Sequence, residues 1–118
     1  MKSYTDISQS KKLADILPHI TADNTYERVV IAGCNLDIPE ERQYIHRDTS
    51  FSFFSGIGVP CWSLAALLEI IRNNGRYEMQ MYEGGYYFEA NGFMTESYFN
   101  PIDACYEMIL KLHEQKLL

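Results

Sequence analysis

The sequence predicts an α+β fold: an antiparallel sheet of about three to four strands with three helices packed on one face, in the order helix, strand or strands, helix, hairpin, helix. Three observations predict it. Three segments carry helix caps ahead of an apolar stripe, one segment alternates apolar and polar residues on either side of a Gly-Gly pair, and one short run is apolar on both of its faces.

The first helix is expected to begin near Asp6, because Asp6-Ile7-Ser8-Gln9 has the form of a capping box and Leu13, Ile16 and Leu17 supply an apolar stripe. Pro18 is expected to stop it, since the residue before a proline is pushed out of the helical region. Tyr26 to Cys34 reads as a strand, with Val29, Ile31 and Gly33 on one side and Val30, Ala32 and Cys34 on the other; apolar character on both sides suits a central position. Residues 35–60 give little periodicity. Ser50 to Phe54 reads at most as a short strand before the glycine-containing Ser55–Gly58. The second helix is capped by Ser63, with Leu64, Leu67, Leu68 and Ile71 at i, i+3, i+4 and i+7 and Gly75 placed to end it. Trp62 and Leu67 have the spacing of a hydrophobic staple.

A hairpin follows. Tyr77–Tyr82 and Tyr86–Ala90 flank Gly84-Gly85, which suits a two-residue turn and would set Tyr82 opposite Tyr87. Alternation then puts Tyr77, Met79, Met81, Phe88 and Ala90 on a core face, and Glu78, Gln80, Tyr82, Tyr87, Glu89 and Asn91 on the other. The third helix starts with Asn100 as cap, Pro101 at the first helical position and Asp103 against the positive end of the dipole; its seam is Ile102, Cys105, Ile109 and Leu112, with Leu117 as an extension. The 118 residues, 47% hydrophobic and 22% charged, suit one globular domain over residues 1–118 rather than a disordered chain.

Composition excludes more than it identifies. The net charge is −6, from 10 Lys plus Arg and 16 Asp plus Glu, which argues against a phosphate-backbone binder and makes nucleic acid a poor partner. The imbalance is local. Residues 77–110 hold Glu78, Glu83, Glu89, Glu96, Asp103 and Glu107 with no Lys or Arg, together with nine of the sixteen aromatic residues. Met1 to Lys12 lacks the apolar core of a secretory signal, and the run Leu64–Ile71 is far short of a membrane span. Cytoplasmic location, no membrane association and three reduced cysteines (Cys34, Cys61 and Cys105) are therefore expected.

No motif demands a cofactor or a metal. His19, His46 and His113 are scattered, and no His or Cys pair has the spacing of a zinc ligand set. Ser8-Gln9-Ser10-Lys11 matches S-x-x-K without the partner motifs of serine β-lactam enzymes. Gly56-Ile57-Gly58 lacks the third glycine of a dinucleotide loop. Cys61 is the one catalytic candidate, because it lies just before a helix start, where a thiolate is stabilised. It would serve a small hydrolase or transferase, with one of the histidines as base.

The residues singled out for binding are Glu78, Gln80, Tyr82, Tyr87, Glu89 and Asn91. Tyrosines among carboxylates on a flat sheet suit a protein partner, a sugar ring, or mimicry of the DNA phosphate array. The simpler account is a solvated face, since antiparallel sheets commonly leave one side in water. A third option is an assembly subunit, marked by exposure of Phe51, Phe53 or Phe54.

Three blocks occur together: Ile7–Pro18 (ISQSKKLADILP), Val59–Leu68 (VPCWSLAALL) and Asn100–Glu114 (NPIDACYEMILKLHE). In this order they resemble a group of short, uncharacterised proteins encoded by gut anaerobes, often among prophage-like or other mobile genes. The resemblance covers somewhat under half of the chain. It implies an intracellular protein with a phage-related role and implies no activity. The blocks are the expected helices with their caps, so partner specificity is expected in segments 19–58 and 75–99. The reading is a small non-enzymatic interaction module acting through the acidic, tyrosine-bearing sheet face.

Overall fold

The structure is a computed structural model, and it describes residues 2–28, 44–47, 58–75, 77–90 and 93–118. The fold is α+β, with antiparallel sheets and helices, as the sequence predicts. Among the described residues the strands fall into two three-stranded sheets instead of one. The chain divides into two compact units, Asp6–Trp62 and Ser63–Leu118 with the residues up to Thr5.

The Asp6–Trp62 unit opens with helix α1, Ile7–Ala14. Its capping box is complete: the Asp6 carboxylate accepts the Gln9 N–H at 2.8 Å, and the Gln9 side-chain oxygen accepts the Asp6 N–H at 3.2 Å. Lys11 and Lys12 sit in the last turn, where the dipole favours cations. The helix ends at Ala14, so Ile16 and Leu17 lie beyond it; Ile16 is half-buried, while Leu13 and Leu17 are buried. A 3₁₀ turn, His19–Thr21, leads into strand β1, Asn24–Arg28. Among the described residues β1 is the middle strand, flanked by β2 (Tyr44–Arg47) and β3 (Gly58–Cys61).

β2 and β3 went unread in the sequence, and β3 has a simple reason. It contains Pro60, which cannot donate to a ladder, and among the described residues it pairs with β1 alone, at an edge where proline is tolerated. Helix α1 packs on β3. The buried residues of this unit include Ile7, Leu13, Leu17, Tyr26, Cys61 and Trp62. The indole N–H of Trp62 donates to Thr21 Oγ1 at 2.9 Å, which satisfies the polar end of a fully buried ring. The expected strand residues Val29 to Cys34, and Phe51, Phe53 and Phe54, lie outside the described residues.

The second unit begins with helix α2, Leu64–Asn73, capped by Ser63, whose hydroxyl accepts the Ala66 N–H at 3.3 Å. Its buried face is Leu67, Ile70 and Ile71; Leu64 and Leu68, expected in the core, are only half-buried. Asn74 closes the helix, its amide donating to the Ile70 carbonyl at 2.8 Å, and Gly75 follows at φ 150°. Strands β4 (Glu78–Tyr82), β5 (Gly85–Ala90) and β6 (Phe93–Met94) form the second sheet in sequence order. Helix α3, Pro101–Glu114, has the expected Asn100 cap, with Asn100 Oδ1 accepting the Ile102 N–H at 2.8 Å. It packs on α2 and on β5, and buries Ile102, Ala104, Cys105, Met108, Ile109 and Leu112. Leu117 lies past its end and is exposed.

Because α3 covers β5, the core side of the hairpin is narrower than expected. Phe88 is fully buried, Met79 is half-buried, and Met81 on the outer strand is 69% exposed. The Lys2 ammonium pairs with the Asp103 carboxylate at 2.6 Å, and Tyr4 bridges to Ser63, so the N-terminal segment joins this unit.

Candidate functional site

The hairpin register decides which side chains meet on the outer face. Tyr82 pairs with Gly85, Gln80 with Tyr87 and Glu78 with Glu89. This is two residues away from the expected Tyr82–Tyr87 pairing, so every side chain keeps its face but changes its neighbour. The turn is Glu83-Gly84, and both residues have positive φ (50° and 78°), as a type I′ turn requires. Gly85 lies in the strand. A Cβ there would meet the Ser97 hydroxyl, an exposed group that can turn aside, and the turn lies one residue earlier than the sequence predicts.

The third strand adds the wall of the site. Glu89 pairs with Met94 and Ala90 with Phe93, while Tyr86 pairs with Tyr98. Between those pairs β5 supplies two residues and the facing segment three, which is the count of a β-bulge. Thr95 bridges it: its N–H donates to the Phe88 carbonyl at 2.8 Å, and its hydroxyl accepts the Phe88 N–H at 2.8 Å. Thr95 is buried, so its hydroxyl stands in for the missing ladder carbonyl.

The outcome is a shallow groove of about 370 Å³ lined by Tyr82, Tyr87, Met94, Thr95, Glu96 and Ser97. Tyr82 is 69% and Met94 61% exposed, and Tyr87 is half-buried. Glu78, Gln80 and Glu89 are exposed on the same outer face. Five of the six residues read as binding candidates are thus on this face, with the tyrosines diagonal to each other; Asn91 lies outside the described residues. Met94, Thr95, Glu96 and Ser97 were missed. Asn91-Gly92, two residues between the paired Ala90 and Phe93, is a strong short-range hairpin signal that points to this third strand.

The electrostatics are one-sided. Glu78 and Glu89 are directly opposite each other, a like-charge pair that weakens the hairpin. The Tyr98 phenol is pushed up, first by burial and then by the carboxylates of Glu107, Glu96 and Asp103. Acids from the bulge and from α3 therefore act on one point of the sheet.

Cys61 has the opposite surroundings from those a nucleophile needs. It is fully buried, and burial, followed by the Asp23 carboxylate, pushes its thiol up from 9.0 to about 12. The sheet does place Cys61, Asn24 and His46 on one face, since Cys61 pairs with Asn24 and His46 with Tyr26. Asn24 stands between the other two and takes the imidazole: His46 Nε2 lies 2.8 Å from Asn24 Oδ1. His46 also meets the Tyr26 ring edge-on at 5.9 Å. His19 Nε2 lies 3.2 Å from the Ala14 carbonyl. Cys105, on the buried seam of α3, is likewise pushed up to about 12 by burial.

Among the described residues no group of three or more His, Cys, Asp or Glu side chains is placed to hold a metal ion, and no helix is long and apolar enough to cross a membrane. A second concavity, of about 480 Å³, lies beside Ala65, Leu68, Glu69, Arg72 and Asn73 of α2. Among the described residues its lining carries one charge of each sign, Glu69 and Arg72, and no aromatic ring. Comparison of the chain with protein-family models, with curated proteins and with solved structures finds no match.

Proposed function

We propose that this chain is a small, intracellular, non-enzymatic interaction module that binds a protein partner through the outer face of the β4–β5–β6 sheet. The observation that carries the reading is the groove in which exposed Tyr82 and Met94 and half-buried Tyr87 sit beside Glu96, with Glu78 and Glu89 on the same face. Aromatic and methionine side chains supply apolar contact area at low entropic cost, which is what the centre of an interface uses. The carboxylates supply the sign of the partner: a cationic surface. A phage-related accessory role, which the resemblance of the three helical blocks implies, belongs to the same proposal. Blocking a nucleic-acid-binding protein by imitating DNA is its narrower form, and it demands binding that falls steeply with salt.

The alternative is a hydrolase or transferase acting through Cys61. Its support is the row of Cys61, Asn24 and His46 on one sheet face. Full burial and a thiol held protonated weigh against it, because the thiolate is the reactive species.

The test is affinity capture from host lysate with the wild-type chain, Tyr82→Ala/Tyr87→Ala and Met94→Lys, each verified as folded by circular dichroism. The expected result is a protein retained by the wild type, released by salt and lost with both variants. Equal retention by all three contradicts the proposal. Met94→Lys changes a side chain that is already mostly in water, so its loss of binding is not a loss of fold.

A further inference from the structure

Among the described residues the same hairpin has an edge that pairs with no strand. In a two-residue hairpin the pair next to the turn exchanges hydrogen bonds, so Tyr82, Gln80 and Glu78 turn their backbone groups toward β5. The β5 side agrees: Phe88 bonds Thr95 and Tyr86 bonds Tyr98, both away from β4. Met79 and Met81 therefore turn their N–H and C=O groups outward. Among the described residues β4 has β5 as its one strand neighbour. It is exposed on both faces, through Glu78, Gln80 and Tyr82 on one and Met81 on the other. Natural edge strands are usually blunted by charged side chains, lysine above all, by a proline or by a bulge. Glu78-Met79-Gln80-Met81-Tyr82 carries a single charge, Glu78, and no lysine or proline.

We propose that the β4 edge is the docking site for a basic, extended segment of a protein partner, which adds to the sheet as a further strand. This rests on the reading of the outer face as the binding surface and specifies the chemistry of what it binds. Charge complementarity selects the occupant. The strand carries Glu78, its cross-strand neighbour is Glu89, the turn carries Glu83, and residues 77–110 offer no base to any of them. In an added antiparallel strand, alternate residues lie on the outer face, where a Lys or Arg meets Glu78 and the ring of Tyr82. The residues between them lie beside Met79 and Met81 and are apolar. A cation alongside Glu78 also relieves its repulsion with Glu89. A second copy of this chain would bring further Glu78 and Glu83 carboxylates to that edge in place of cations.

The experiment titrates the full chain with the peptide acetyl-Lys-Val-Lys-Val-Lys-Val-Lys-amide, followed by fluorescence anisotropy and amide hydrogen exchange. Controls are its Glu/Val counterpart and a version N-methylated at the valines, whose N–H groups are the ones that face β4. Binding of the Lys/Val peptide is expected to slow exchange at the Met79 and Met81 amides, with the two controls about tenfold weaker or more. Met81→Lys, at an exposed position, is expected to weaken binding by a similar factor. Lys/Val binding without protection of Met79 and Met81 overturns the edge proposal and leaves the outer-face reading standing, as does failure of the peptide to bind while lysate capture still depends on Tyr82 and Tyr87. A concentration-dependent dimer with those two amides already protected would assign the edge to a second copy and overturn it as well.

Discussion

Thr95 does the work of a backbone carbonyl. Its hydroxyl accepts the buried Phe88 N–H where the bulge breaks the ladder, so replacement by valine leaves that donor without a partner. Thr95→Val is expected to destabilise the chain by about 1–3 kcal/mol in urea unfolding, and Thr95→Ser to recover most of it. An equal loss in both variants would mean that the methyl group, not the hydroxyl, matters. The two buried thiols give a pH signature. Cys61 and Cys105 ordinarily titrate at 9.0 and are pushed up to about 12 in the fold. Above pH 9 the unfolded chain releases these protons while the folded chain keeps them, so their contribution is complete below pH 9 and is lost as pH rises toward about 12. Stability is expected to fall between about pH 9 and about pH 12, with neither thiol reacting with a disulfide reagent until the chain unfolds. Rapid labelling of Cys61 in the native state would return attention to the catalytic alternative.

At the scale of elements, each helix was legible because its cap is local. Asp6, Ser63 and Asn100 each accept the backbone N–H two or three residues on that the spacing demands. Helix length was less legible: α1 stops before Ile16 and Leu17 although both continue its apolar stripe. The hairpin was legible as a hairpin, and its faces were legible because alternation survives a two-residue shift. Its register was not, because Gly84 can stand at either position of a two-residue turn: the turn takes Glu83 and Gly84, and Gly85 pairs with Tyr82 in the strand. Non-local pairing hid half of the groove. Met94, Glu96 and Ser97 reach the tyrosines only through a bulge held by Thr95, so the site was read as two strands when it has three. The turn carries a cost of its own. Glu83 sits at φ 50°, a conformation that asparagine tolerates better than glutamate. Glu83→Asn creates the favoured Asn-Gly turn and is expected to raise stability by about 0.5–1 kcal/mol, measured as a higher urea midpoint with an unchanged slope. No gain, or a loss, would mean that the Glu83 side chain contributes to the fold in a way its strained backbone conceals.

For the molecule as a whole, the net charge of −6 is less informative than its placement. Lys2 neutralises Asp103, but the hairpin acids have no base of their own segment, and two of them face each other. A fold that only needed solubility would gain by interspersing lysines there, since like charges opposite each other destabilise a sheet. Their place beside Tyr82, Tyr87 and Met94 is what the proposed cationic partner would account for. The most direct measurement places a photo-crosslinking amino acid at Tyr82 and, as a control, at Ile20, which is 87% exposed in the other unit. Irradiation in the host is expected to attach one partner through position 82, to give no such product through position 20, and to lose the product when Glu78 and Glu89 are changed to glutamine. The same product from both positions, or none from position 82, would contradict the outer hairpin face as the binding surface.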